Sequence, residues 1–245
     1  MTSKEILKEL NSLENKKNQE GMARFGISRI GTLGVPVPKL REIAQKIKKS
    51  ENRTSAVAMG NSLRARHKLA KELWDSGVHE ARLLAAFIDD PKLVTEKQFD
   101  DWAKEIDSWD ICDQLCLNLF GKTKFAYKKV FEFSKRQEEF VKRTSFALMA
   151  VLAVHDKKAL DQKFLEFLPI IKRESADERN FVRKAVNWAL RQIGKRNLNL
   201  NKEAIKTAEE ILKFSEKQKS KSAKWIANDA LRELRSFDIQ KRFEK

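Results

Sequence analysis

Hydrophobic positions recur every three or four residues along almost the whole chain, and no stretch alternates apolar and polar residues as a half-buried strand would. This pattern predicts an all-α fold. It is clearest over Arg179 to Lys195, where Val182, Ala185, Val186, Ala189 and Ile193 cover a core arc about 100° wide. Lys184, Trp188, Arg191 and Lys195 fall on an opposing stripe. Breakers separate the helical blocks at Gly31 to Pro38, Gly60-Asn61-Ser62, Asp75-Ser76-Gly77, Asp89-Asp90-Pro91, Gly121 and Gly194, which predicts helices of roughly 10 to 18 residues. Pro36 and Pro38 precede a helix over Lys39 to Lys48, and Asp107 or Ser108 is placed to cap the helix that contains Trp109.

A succession of short helices builds either a bundle or a solenoid, and internal similarity separates the two. Phe140-Val141-Lys142-Arg143 aligns with Phe181-Val182-Arg183-Lys184 at an offset of 41 residues. Asn187, Ala189, Leu190 and Arg191 align at the same offset with Asn228, Ala230, Leu231 and Arg232. That spacing matches a HEAT or armadillo unit, in which each helix pair buries its face only against its neighbours. No shift in composition divides the chain, so residues 1–245 read as one continuous superhelix.

Composition narrows the partners. Of the 245 residues, 51 are Lys or Arg and 35 are Asp or Glu, a net charge of +16 that attracts polyanions, nucleic acid ahead of acidic membrane. The longest apolar run, Phe146 to Val154, is far short of the ~18 to 20 residues that cross a bilayer. The start, Met1-Thr2-Ser3-Lys4-Glu5, mixes charges at once and does not read as a signal segment. A cytoplasmic, nucleoid-associated location is expected. Cys112 and Cys116 lie on one side of a helix with no distant partner, which suits a reducing compartment. His67, His79 and His155 are isolated, so no metal site is expected.

Three places could carry chemistry. Trp188 stands between cations, and its stripe is either a face packed on the next repeat or a basic surface with an indole suited to a phosphate backbone. Trp109 and Asp113, at i and i+4, meet on one helix face, with Cys116 and Phe120 extending the stripe; they are either a core aromatic and a surface or ion-paired acid, or a carboxylate beside an indole over an apolar floor. Lys142 and Arg143 open a helix that is apolar nearly all round; a guanidinium there cannot shed its charge and needs an anion, either an internal carboxylate or a phosphate.

Trp109-Asp110-x-x-Asp113, Arg143, and Trp188 within Val182-Arg183-Lys184-Ala185-Val186-Asn187-Trp188-Ala189-Leu190-Arg191 together resemble the AlkD-type DNA alkylation repair proteins, the HEAT-like repeat DNA glycosylases. The similarity runs from about Met22-Ala23-Arg24-Phe25 to the C-terminus. The resemblance implies a C-shaped α-solenoid on alkylated double-stranded DNA, with Asp113, Trp109 and Trp188 in the catalytic cleft and Arg143 on a backbone phosphate. It also implies excision of cationic N3- or N7-alkylated purines without base flipping. Such a base leaves without a general acid, so no cofactor and no catalytic lysine is called for. Lys142, Lys184, Arg191 and Lys195 are the further expected DNA contacts, and a monomer is expected. Phe25 stands where the family pattern has Tyr. Gly21 and Gly26 weaken any helix there, and Asn15 to Gly21 reads as a linker. The alternatives are a catalytically silent protein of the same fold that binds damaged or branched DNA, and a protein-interaction scaffold.

Overall fold

The computed structural model describes residues 1–50 and 56–244. Every regular element among them is helical, and none of the helices is long and apolar enough to cross a membrane. Contacts divide the chain into two compact units, Met1–Lys124 and Phe125–Lys245.

The first unit contains α1 (Ser3–Ser12), α2 (Lys16–Arg24), α3 (Val37–Lys49), α4 (Ala56–Asp75), α5 (His79–Ile88), α6 (Glu96–Lys104) and α7 (Trp109–Asn118), closed by a 3-10 turn at Phe120–Lys122. Its axis is α5, which packs against α3, α4 and α7 and buries every residue except Arg82. A helix apolar nearly all round has to sit inside, and its two buried polar residues, His79 and Glu80, then need partners. Trp74 and Trp102 stack 4.3 Å apart beside it.

Two breaker assignments do not hold. Asn15 to Gly21 is not a linker: Asn15 caps α2 by accepting the Asn18 amide at 3.0 Å, and a side chain at Gly21 would meet only open space. Gly60-Asn61-Ser62 lies inside α4. A glycine within a helix costs only about 1 kcal/mol against alanine, and burial of Ala70, Leu73 and Trp74 along the same helix outweighs that. In consequence α4 runs to 20 residues and a later helix to 21, longer than the predicted blocks.

The second unit contains α8 (Ala126–Phe133), α9 (Glu139–His155), α10 (Asp161–Leu165), α11 (Leu168–Glu174), α12 (Asn180–Gly194), α13 (Leu198–Gln218), α14 (Lys221–Leu234) and α15 (Phe237–Gln240). Helices α9, α12 and α14 begin at Glu139, Asn180 and Lys221, each 41 residues after the last. Residues aligned by that offset touch: the Phe140 and Phe181 rings lie 5.5 Å apart. The Asn187 side chain donates to Asp229 at 2.7 Å, and Arg179 reaches the Gln137 carbonyl. Neighbouring repeats are thus stitched by polar contacts at nearly the repeat length. Gly194 closes α12 where a Cβ would come within 2.7 Å of Leu234, so the glycine permits the helices to pack this closely.

In the first unit the chain between α2 and α3 is held from below. Glu80 is fully buried, and its carboxylate accepts the amides of Leu33 at 2.8 Å, Gly34 at 2.6 Å and Val35 at 3.2 Å. Gly34 has φ +78°, and a Cβ there would lie 2.3 Å from the Asn15 carbonyl, so only glycine fits. Glu80→Ala should strand these amides and lower unfolding free energy by about 3 kcal/mol, with Glu80→Gln intermediate, as read from urea denaturation. An unchanged midpoint for Glu80→Ala would show that the carboxylate does not hold the loop.

Candidate functional site

In the first unit α2, the Gly26 to Pro36 loop and α7 line an open groove of about 870 Å³. Trp109, Asp113 and Gln114 face it from α7, Lys17, Glu20 and Arg24 from α2, and Val35 and Pro36 from the loop. The predicted pairing of Trp109 with Asp113 therefore holds on a surface that a ligand can reach. Cys116 and Phe120, the expected floor, sink fully into the core, where Phe120 stacks on Phe99 at 3.8 Å. Both cysteines are buried and unbridged.

Trp109 is fixed by its own polar edge. Its Nε1–H donates to the Phe25 carbonyl at 3.0 Å, which leaves the ring face, and not the N–H, for a ligand. The start of α7 is fixed by Asp110. Ser108 occupies the cap position as expected, but its hydroxyl donates to Asp110 at 2.7 Å in place of a backbone cap. The other Asp110 oxygen meets His79 Nε2 at 2.8 Å, while the His79 amide donates to the Gly31 carbonyl at 2.8 Å. Asp110 is therefore tied to Ser108 and His79, and it lines the groove together with Asp113 one turn along α7.

Burial pulls the His79 imidazole down, but its hydrogen bond to Asp110 and the Asp110, Glu80 and Asp107 charges outweigh it, so His79 stands above its ordinary 6.5. Burial likewise pushes Asp110 up, and the His79 contact together with Ser108 holds it below its ordinary 3.8. These groups were not found from sequence, although Val78-His79-Glu80 at a helix start and the second acid in Trp109-Asp110-x-x-Asp113 were visible there.

In the second unit, Lys184, Trp188, Arg191 and Lys195 do share a face of α12, and the five predicted core positions of that helix are all buried. Lys184 is exposed and Trp188 half-buried. Arg191 pairs with Glu233 and lies 3.7 Å from Asp229, and Lys195 meets Glu233 at 2.6 Å. Glu233 is held below the usual carboxylate range: burial raises it, and the two cations more than compensate. Lys142 is buried against Glu174 at 2.6 Å and Asp177 at 3.7 Å. Arg143 is buried and donates to the Phe181 carbonyl at 2.6 Å. Of the expected DNA contacts, Lys184 is the most open to solvent.

The described residues contain no cluster of three His, Cys, Asp or Glu side chains suited to a metal ion. A family model described as DNA alkylation repair enzyme matches residues 6–234. A solved structure is similar over 86% of this chain and 83% of its own, at 20% identity and a TM-score of 0.71. It is described as a new family of proteins related to the HEAT-like repeat DNA glycosylases with affinity for branched DNA structures. That likeness establishes the HEAT-like helical fold. No curated protein sequence matches the chain.

The raised His79 and the lowered Asp110 define a pH window. The contribution of His79 is complete below pH 6.5 and is lost as pH rises through its raised value; that of Asp110 is complete above pH 3.8 and is lost as pH falls through its lowered value. The pair therefore stabilises most between these limits. The melting-temperature gap between wild type and His79→Gln should be largest near about pH 5.5 and shrink toward about pH 8.5. A gap independent of pH would show that His79 contributes by packing alone.

Proposed function

The chain belongs to the DNA alkylation repair enzyme family, and on that premise we propose that it is a monofunctional DNA glycosylase that hydrolyses the N-glycosidic bond of cationic N3- or N7-alkylated purines in double-stranded DNA, without base flipping. The observation that carries this reading is Asp113 beside Trp109 on an open groove, with Trp109 oriented by the Phe25 carbonyl. A protein that only tracked phosphates would gain nothing from a carboxylate on the surface that meets DNA.

An alkylated cationic purine is already a good leaving group. As the C1′–N bond breaks, the bond electrons go to the base, which departs neutral, and positive charge appears on the deoxyribose. Asp113 stabilises that charge and orients the water that adds to C1′. The water's surplus proton passes to solvent. The face of Trp109 favours the same cation by its quadrupole, and Trp188 is the second indole proposed to contact the sugar. Lys184 is a proposed phosphate contact. Lys142, Arg143, Arg191 and Lys195 would join it by exchanging an internal acceptor for a phosphate. The protein would act as a monomer associated with the nucleoid.

A second reading, a catalytically silent binder of damaged or branched DNA, is favoured by two observations: the branched-DNA affinity stated for the structural relative, and Phe25 in place of the family's Tyr.

Asp113→Asn keeps shape and removes charge. Single-turnover excision from duplex DNA bearing one 7-methylguanine should slow by ~10² to 10³, with DNA binding retained. Equal rates for the two proteins would end the catalytic assignment of Asp113. Firm binding by wild type with no release of base would select the silent binder.

A further inference from the structure

Ile30 and Phe25 are 91% and 71% exposed, and they sit on one short loop between α2 and α3. A lone exposed apolar residue needs no explanation. Here, however, the backbone that carries both is tied down on every side. Phe25 gives its carbonyl to Trp109, and the Ile27 amide returns to the Met22 carbonyl while its side chain is buried. Thr32 donates through its hydroxyl to the Ser28 carbonyl at 2.6 Å, and the Gly31 carbonyl takes the His79 amide. The loop is thus a stiff stem whose two large apolar side chains gain nothing from folding. Its surroundings are cationic: Lys16, Lys17, Arg24 and Arg29 are exposed, against Glu20, which lies 3.9 Å from Arg29.

We infer that Ile30, with Phe25 beside the groove, is an apolar wedge that enters an unstacked base step of DNA, so that this loop selects helices with a discontinuity or an easily opened step. Apolar side chains that insert between bases repay the cost of unstacking with apolar burial, and the basic flank holds the phosphates on either side. The Trp109 N–H to Phe25 carbonyl contact ties this loop to α7, the helix that carries Asp113. The inference rests on the DNA-binding reading, whether or not excision occurs.

The test compares a three-way junction carrying 2-aminopurine at the branch with an unbranched duplex of the same sequence. Wild type should raise 2-aminopurine fluorescence on binding the junction. Ile30→Ser should abolish that rise and weaken junction binding roughly tenfold, leaving duplex affinity unchanged, and Ile30→Leu should behave as wild type. Tight binding to both DNAs without a rise, or Ile30→Ser indistinguishable from wild type, would overturn the wedge and leave DNA binding standing. Failure of wild type to bind either DNA would overturn both. Wild-type self-association abolished by Ile30→Ser, without a change in junction binding, would instead assign the tip to contact between copies.

Discussion

The candidate site depends on the first turn of α5, where two consecutive polar residues are buried in an otherwise apolar helix. Glu80 gathers three amides of the loop that forms one wall of the groove, and His79 grips Asp110 at the start of the helix that forms the other. A buried carboxylate without donors is costly, and so are buried amides without an acceptor; each group here satisfies the other. The wall on which Trp109 and Asp113 lie, and the wall facing it, are therefore located by hydrogen bonds that cannot be broken one at a time without stranding a partner. A wall fixed in this way suits the role proposed for Asp113, since groups that need not reorient stabilise a developing charge best.

The second unit uses charge differently. Arg191 and Lys195 converge on Glu233, and Lys142 on Glu174 and Asp177, so much of the cationic side-chain content of α9 and α12 is compensated between neighbouring repeats. The Glu233 pairs tie the end of α12 to α14, and the Lys142 pairs tie α9 to the end of α11 and the loop after it. The excess that gives the chain its net charge of +16 is carried instead by exposed side chains such as Lys184, Lys16, Lys17 and Arg24.

Much of this was legible in the sequence, for reasons that differ between the units. In the second unit the repeat is regular: the helices start at the spacing read from the aligned Phe, Asn and Arg positions, and contacts between successive helices, though chemically different, recur at nearly that separation. The ties described in the first unit follow no single spacing: His79 to Asp110 and Trp74 to Glu105 span 31 residues, Glu80 to Leu33 spans 47, and Trp109 to Phe25 spans 84. Trp109 and Asp113 were visible because i, i+4 geometry is local. The partners of Arg191, Lys195 and Lys142 were not, because which carboxylate a surface cation meets is decided by helices far along the chain. Asn15 and Gly21 misled because a capping residue and a helix glycine are also the letters of a linker, and only packing separates the two.

We propose that the groove holding Asp113 and Trp109 favours positive charge on a deoxyribose. The most direct measurement is the affinity for duplex DNA containing a single pyrrolidine abasic site, cationic at neutral pH, against the same duplex with an uncharged tetrahydrofuran site. A groove built for an oxocarbenium-like sugar should bind the cationic mimic ~10²-fold more tightly. Equal affinity for the two would contradict the claim.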